Sequence, residues 1–183
     1  MTRLQTENLR LRAPEPEDLD IMLGYENDTS LWDTSFTTGP YSRYQIKQYI
    51  ASCTNDFYTD QQLRLMIEHN RYGTVGMADV TNFDLHHNRA EIGILISKEW
   101  RRKGFAKEAV GLLESHCFTH LDIHQLYVYI ATDNIASLRL FESLGYEKVG
   151  CLKDWFRTGS RYTDVVLMQK TNLAVVVDEF GGT

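Results

Sequence analysis

The stretch Ser97-Lys98-Glu99-Trp100-Arg101-Arg102-Lys103-Gly104-Phe105-Ala106-Lys107 holds residue types and spacing that could do chemistry, placed between a strand-like segment and the start of a long helical pattern. The first backbone N–H groups of a helix have no internal acceptor, and the helix dipole adds partial positive charge there. Gly104 and Ala106 let an anion approach that backbone closely, and Arg101, Arg102, Lys103 and Lys107 add side-chain charge. A diphosphate fits such a site. A glycine turn carrying solvated bases is the other reading, because short patterns recur by chance. The lysine and hydroxyl ending of a Walker A loop is absent, and so is a full Gly-x-Gly-x-x-Gly.

Several elements must position this turn. Leu9-Arg10-Leu11-Arg12 alternates apolar and charged residues and stops at Pro14, as a half-buried first strand does. Pro16, Glu17 and Asp18 stand where a helix begins, with Leu19, Met22 and Leu23 on one face. Ser42 with Gln45 three residues on forms a capping box for a second helix through Ile46, Tyr49 and Ile50. Leu63, Leu65 and Ile67 alternate with polar residues, and 74–80 is the second half of a hairpin turned near 70–73. In 89–97, Ile92, Ile94 and Ile96 share one face, with Glu91, Gly93, Leu95 and Ser97 on the other. The pattern Ala106, Val110, Leu113, Cys117, Leu121 predicts a helix over 104–121. Leu126-Tyr127-Val128-Tyr129-Ile130 is a buried strand, Asp133-Asn134 caps a helix through Ala136, Leu140 and Leu144, and Gly145 ends it in a left-handed cap. Strands over 146–156 and 161–168 complete the order β-α-α-β-β-β-α-β-α-β-β.

The chain has 183 residues, of which 43% are hydrophobic and 24% charged, enough for one domain with a sizeable core. That composition excludes wholesale disorder and low-complexity architectures, and no apolar run is long enough for a membrane helix. Residues 1–7 lack the charged-then-apolar order of a secretory signal, so a cytoplasmic location is expected. Cys53, Cys117 and Cys151 are odd in number and far apart, consistent with thiols in a reducing compartment, and the six histidines show no ligand spacing, so no metal is expected. With 25 acids against 19 bases the net charge is −6, which disfavours nucleic acid and anionic membrane as partners and favours cationic small molecules. A single domain over 1–171 is expected, with 172–183 as an extension that supplies an edge strand or an oligomer contact.

Arg101-x-x-Gly104-x-Ala106 after Glu91-Ile-Gly-Ile-Leu-Ile-Ser97 resembles the acyl-CoA pyrophosphate motif of the GNAT superfamily of N-acetyltransferases, and Asn134-x-Ala136 followed by Leu140-Phe-Glu-Ser-Leu-Gly-Tyr146 resembles its second signature. Within the superfamily the likeness is to the branch of the spermidine N-acetyltransferases and ribosomal-protein N-terminal acetyltransferases, carried by Leu9-Arg-Leu-Arg12 with Glu17-Asp18-Leu19, Arg89-Ala-Glu91 and Gly159-x-Arg161-Tyr162-x-Asp164. The resemblance implies an α+β, αβα-layered fold around a mixed, mostly antiparallel sheet whose fourth and fifth strands splay apart. It implies acetyl-CoA as cosubstrate and a homodimer or larger homo-oligomer. Leu95 and Ile96 would then present backbone groups to the pantetheine. Residues Arg101, Arg102, Lys103, Gly104, Phe105, Ala106 and Lys107 would wrap the diphosphate, and Asn134 and Ser137 would meet the pantetheine or its thiol end.

An alkyl amine has a pKa near 10.4, so the nucleophile must lose a proton before it attacks. The family places a catalytic carboxylate on the fourth strand, which implies Glu91 as base; a structural ion pair of Glu91 with Arg89 or His87 is the alternative, and His86 and His87 could relay a proton. Where the family helix carries a tyrosine as acid this chain has Phe141, leaving Tyr146, Tyr129 or water to protonate the thiolate, whose acid has a pKa near 8.5. Glu26, Asp28 and Asp33 lie where the family admits acceptors and suit a small cationic primary amine, a polyamine such as spermidine included; a solvated acidic face is the alternative. The spermidine enzymes carry glutamates where this chain has Phe36-Thr37-Thr38-Gly39-Pro40. Trp155, Phe156 and Tyr162 are candidates for an acceptor groove, for core or for dimer packing. A protein N-terminus as acceptor and, because of Phe141, a non-catalytic acyl-CoA-binding module are the other functions considered.

Overall fold

The structure is a computed structural model that describes residues 4–32, 38–54 and 56–173. One twisted sheet of seven strands organises it, in the order β1-β2-β3-β4-β5-β7-β6. Its strands are β1 (Leu9–Arg12), β2 (Leu63–His69), β3 (Gly73–Asp84), β4 (Arg89–Ile96), β5 (Gln125–Ala131), β6 (Glu147–Thr158) and β7 (Arg161–Thr171). Only β4 and β5 pair in parallel; every other neighbouring pair is antiparallel. The helices are α1 (Leu19–Glu26), α2 (Thr29–Trp32), α3 (Arg43–Ser52), α4 (Phe57–Asp60), α5 (Phe105–Thr119) and α6 (Ile135–Ser143). Among the described residues no helix is long and apolar enough to cross a membrane.

The expected order stands, with α2 and α4 added as single turns. Both are too short for a hydrophobic stripe and exist because an aspartate caps them: Asp28 accepts from Ser30 N–H at 3.0 Å, and Asp56 from Tyr58 N–H at 3.1 Å. The capping box of α3 forms as expected, with Gln45 N–H donating to Ser42 Oγ at 3.2 Å and Ser42 N–H to Gln45 Oε1 at 2.7 Å. The α5 helix ends two residues short of the expected boundary, because the chain turns through left-handed Asp122 and Ile123 N–H returns to the Cys117 carbonyl. Residues 174–183, assigned above to an extension, lie outside the described residues, as does Asp33.

Two layers of helix cover the sheet. On one face, Leu9 and Leu11, Leu65 and Ile67, Val80, Ile92, Leu126 and Met168 pack against Val110, Leu113 and Cys117 of α5 and Leu138 and Phe141 of α6. Complete burial of each such aliphatic side chain contributes roughly 1.5–3 kcal/mol. On the other face a smaller core joins Met66 and Met77 to Met22 of α1 and Ile46 of α3. Glu91, Gly93 and Leu95 point to this second face, since they lie opposite Thr81, Asp79 and Met77 in register. Tyr127 lies there as well, opposite Glu91.

Candidate functional site

The parallel strands β4 and β5 each lead into a helix on the same face of the sheet, so the N-termini of α5 and α6 meet at the C-terminal ends of those strands. The β4–β5 ladder has the rungs Arg89–Gln125, Ala90–Leu126 and Glu91–Tyr127 and stops there, although the strands continue to Ile96 and Ala131. A split opens beyond the third rung. Ser97 N–H donates to the Val75 carbonyl at 3.0 Å, which fixes the alternation of the β3–β4 ladder. Leu95, Gly93 and Glu91 exchange their backbone bonds with β3, and the backbone groups of Ile94 and Ile96 turn into the split. This corrects the expectation for Leu95, whose carbonyl lies against Gly76; a Cβ on Gly76 would sit 2.1 Å from that oxygen, so only glycine allows the approach. Ile94 and Ile96, not Leu95, are the residues whose backbone faces away from β3, and the Ile96 carbonyl accepts from Arg101 Nε at 3.0 Å.

Arg101 thus folds back on the strand end. Arg102 (φ +61°) and Gly104 (φ +86°) adopt left-handed backbone, which bends the chain sharply into α5. Gly104 occupies the N-cap with no side chain to cap the helix, so the N–H groups of Phe105, Ala106 and Lys107 are offered to whatever lies above the turn. The exposed Arg102 and Lys107 flank them, whereas the ring of Phe105 is buried in the core and contributes only its backbone. Lys103 sits over the Trp100 ring at 4.3 Å. Trp100 stacks on Tyr72 at 4.6 Å and Tyr72 on His69 at 4.5 Å, a run of rings joining the turn to the β2–β3 hairpin. At the neighbouring helix start, Asn134 Oδ1 accepts from Ser137 N–H at 3.1 Å, so the Asn134 side chain serves first as the cap of α6, with Ser137 half-buried beside it.

At the base of the split, on the face away from α5, stands Glu91. Burial raises its pKa above the ordinary glutamate value, and a 2.7 Å hydrogen bond from Asn82 Nδ2 to Oε2 works against that rise. Neither alternative partner holds it: Arg89 pairs with Asp84 at 3.1 Å, and Asp84 also accepts from the backbone N–H of His87 at 3.0 Å. Tyr127, across the strand from Glu91, has its phenol pushed up to about 12, by burial and then by the Glu91 charge. Tyr129 follows at 5.6 Å and stacks on Trp155 at 6.0 Å. Asn82 and Tyr127 escaped the sequence reading. The alternation of Tyr127 with Tyr129 put both on one face, but only the register shows that this is the face of Glu91.

Of the acidic residues assigned to the acceptor, Glu26 and Asp28 are each engaged by a cation of this chain. Glu26 Oε1 accepts from Arg64 Nη1 at 2.5 Å, and Arg64 also grips Asp79 through two bonds of 2.9 and 3.0 Å. Asp28 caps α2 and pairs with Lys98 at 3.1 Å; the Ser30 hydroxyl and then Lys98 hold its carboxyl down at about 2. Phe141, in the position of the family's acid, is 1% exposed, and its ring meets Tyr146 edge-on at 5.0 Å. The Tyr146 hydroxyl is buried beside Glu114 of α5 and has no hydrogen-bond partner among the described residues; burial and the Glu114 charge raise its pKa steeply.

An uncapped helix start with flanking bases, joined to a strand that shows free backbone polarity to a split, suits a long anionic thioester: phosphates at 101–107 and an amide-bearing arm along β4. The chain matches the family described as acetyltransferase (GNAT) domain over residues 8–147. It is 26% identical over 160 residues to the spermidine N(1)-acetyltransferase of Vibrio cholerae, covering 87% of this chain and 91% of that one. The crystal structure of the V. cholerae enzyme in complex with CoA and spermine superposes with a TM-score of 0.79 at 26% identity, over 91% of this chain and 97% of that one. A dodecameric structure of the same enzyme superposes with a TM-score of 0.75 at 27% identity, over 91% and 95%. The chain belongs to the GNAT family of acetyltransferases.

Proposed function

We propose that this acetyl-CoA-dependent N-acetyltransferase transfers the acetyl group to the primary amine of a small cationic molecule, with Glu91 taking the proton that the amine must lose. The observation that carries the reading is the end of the β4–β5 ladder at Glu91–Tyr127, which sets a carboxylate of raised pKa at the base of a split lined by backbone donors. Bound acetyl-CoA supplies an acyl carbon already activated as a thioester. The N–H groups of Phe105, Ala106 and Lys107, with the Arg102 and Lys107 side chains, would hold its diphosphate. The Ile94 and Ile96 N–H groups would bond the pantetheine arm and the acyl oxygen, fixed donors that need no reorganisation as charge develops. Ser137 at the start of α6 would stand by the thiol end.

Glu91 accepts a proton from an ammonium whose own pKa is near 10.4, directly or through water. Asn82 fixes the carboxylate while it does so. Phe141 donates no proton and the Tyr146 hydroxyl faces α5, so the thiolate, whose acid has a pKa of about 8.5, departs without a fixed acid and takes its proton from solvent or from the open side of the split. The spermidine relatives support a cationic amine, polyamines included. The pairing of Glu26 with Arg64 and of Asp28 with Lys98 removes two of the carboxylates that would recognise a second and third ammonium. The dodecameric relative supports a homo-oligomer. Incubation with acetyl-CoA and a panel of primary amines, read by thiol release, tests the function: amine-dependent release supports it, and release no faster than hydrolysis in every case overturns it.

A further inference from the structure

The acceptor face past Glu91 is aromatic rather than acidic. In register, Tyr127 is the cross-strand neighbour of Glu91, and Tyr127, Tyr129 and Trp155 run outward from it at ring separations of 5.6 and 6.0 Å. Trp155 reaches this position because β6 breaks register between Leu152 and Phe156, with Asp154 in left-handed backbone. The bulge turns the indole over β7 toward Tyr129, and the indole remains 54% exposed. Tyr127 and Tyr129 are half-buried, so each shows part of a ring. The nearby carboxylate of Asp164 is engaged by Lys153 at 2.7 Å and by Asp154 N–H at 3.0 Å. With Glu26 held by Arg64 and Asp28 by Lys98, Glu91 is the described carboxylate that meets this shelf without a cationic partner. A polyamine needs several anionic contacts spaced along its length; this surface gives one anionic contact and then aromatic faces.

Resting on the proposed transfer to a primary amine, we infer that the acceptor is a monoamine borne on a flat or apolar body, its ammonium at Glu91 and its body on Tyr127, Tyr129 and Trp155. Aromatic faces favour both the apolar body and the residual positive charge.

The test compares 2-phenylethylamine, hexylamine and spermidine as acceptors in the acetyl-CoA thiol-release assay, with the full chain and with Trp155→Ala. Calorimetry of CoA binding to both proteins reports whether the cofactor side is intact. The expected result is kcat/KM for 2-phenylethylamine at least about tenfold above that for spermidine, with hexylamine between, and a rise in KM for 2-phenylethylamine of about three- to tenfold in Trp155→Ala at unchanged CoA affinity. A preference for spermidine overturns the inference while leaving acetyl transfer standing, and so does an unchanged KM in Trp155→Ala. Release with none of the three amines overturns the transfer reading together with the inference.

Discussion

Glu91 and Tyr127 form the last rung between β4 and β5, so the point where the sheet opens and the point where a carboxylate faces a phenol coincide. Burial is the first cause of each raised pKa, and the neighbouring Glu91 charge raises Tyr127 further. A base with a raised pKa has to be ionised to work, so activity should fall as pH drops through a value above that of an ordinary glutamate. Glu91→Gln should lower kcat by about 100-fold or more and flatten this acid limb. Asn82→Ala removes a bond that favours the charged carboxylate, so its acid limb should move to higher pH. A pH–rate profile of the three proteins checks this; an Asn82→Ala limb at or below the wild-type position counts against Glu91 as base.

Gly104 tests the phosphate turn. At φ +86° a β-branched side chain is strained, and it would also stand above the free N–H groups of α5. Left-handed backbone costs about 1–2 kcal/mol for an ordinary residue and less for asparagine. Gly104→Asn should therefore fold normally, and Gly104→Val should be measurably less stable. Both should weaken CoA binding by at least about tenfold, equivalent to about 1.4 kcal/mol. Calorimetric titration with CoA decides, and undiminished affinity in Gly104→Asn removes the diphosphate from this turn.

The stacked rings of His69, Tyr72 and Trp100 brace the same turn from the hairpin side, with Lys103 resting on Trp100. A stacked aromatic pair contributes about 0.5–1.5 kcal/mol beyond its buried area. Tyr72→Ala should loosen the turn before any ligand arrives. The expected signature is a KM for acetyl-CoA raised by roughly two- to tenfold with kcat unchanged. Loss of kcat at constant KM would place the effect elsewhere.

Tyr146 separates an acid from a packing residue. Its hydroxyl is buried without a partner among the described residues, next to a Glu114 oxygen in the same condition, while Lys170 bonds the other Glu114 oxygen at 2.5 Å and the Leu144 carbonyl at 2.7 Å. Removing an unsatisfied buried hydroxyl is close to neutral or stabilising. Tyr146→Phe should keep kcat within about twofold of wild type and leave or raise the melting temperature. A large loss of kcat with CoA affinity intact would restore Tyr146 as proton donor.

Local signals carried most of this architecture. The capping box at Ser42 and Gln45, the left-handed Gly145, and the isoleucine stripe of β4 each depend on residues within four positions of one another, so the chain states them directly. The site needed more. Which backbone groups of β4 face the split depends on hydrogen-bond phase against β3, and period-two alternation alone left Leu95 and Ile94 indistinguishable in that respect. Glu26 and Arg64 are 38 positions apart, and nothing near either one reveals that a guanidinium occupies that carboxylate. The same holds for Asn82, which reaches Glu91 because a β-bulge and a left-handed φ of +50° turn it toward the strand.

Arg12 and Asp18 join β1 to the start of α1 and offer a test of stability rather than catalysis. Two bonds of 2.6 and 2.9 Å link guanidinium and carboxylate, the Glu15 N–H adds a third at 2.8 Å, and Asp18 is 3% exposed. Burial disfavours the Asp18 charge, but these donors outweigh it and hold the carboxyl below its ordinary range. A folded pKa below the unfolded one means that the stabilisation is complete above the unfolded value, near 3.9, and is lost as pH falls through the folded value. Asp18→Asn should cost about 2–3 kcal/mol at pH 7, because the only carboxylate left to Arg12 among the described residues is Glu68 at 3.3 Å, beside its neutral acceptors Ala13 carbonyl and Thr74 Oγ1. Urea denaturation of both proteins between pH 7 and about 3 should show that difference constant at the upper end and shrinking toward the lower. A gap that does not narrow would assign the loss to the geometry of the turn at Glu15 instead of to the charge that Arg12 meets.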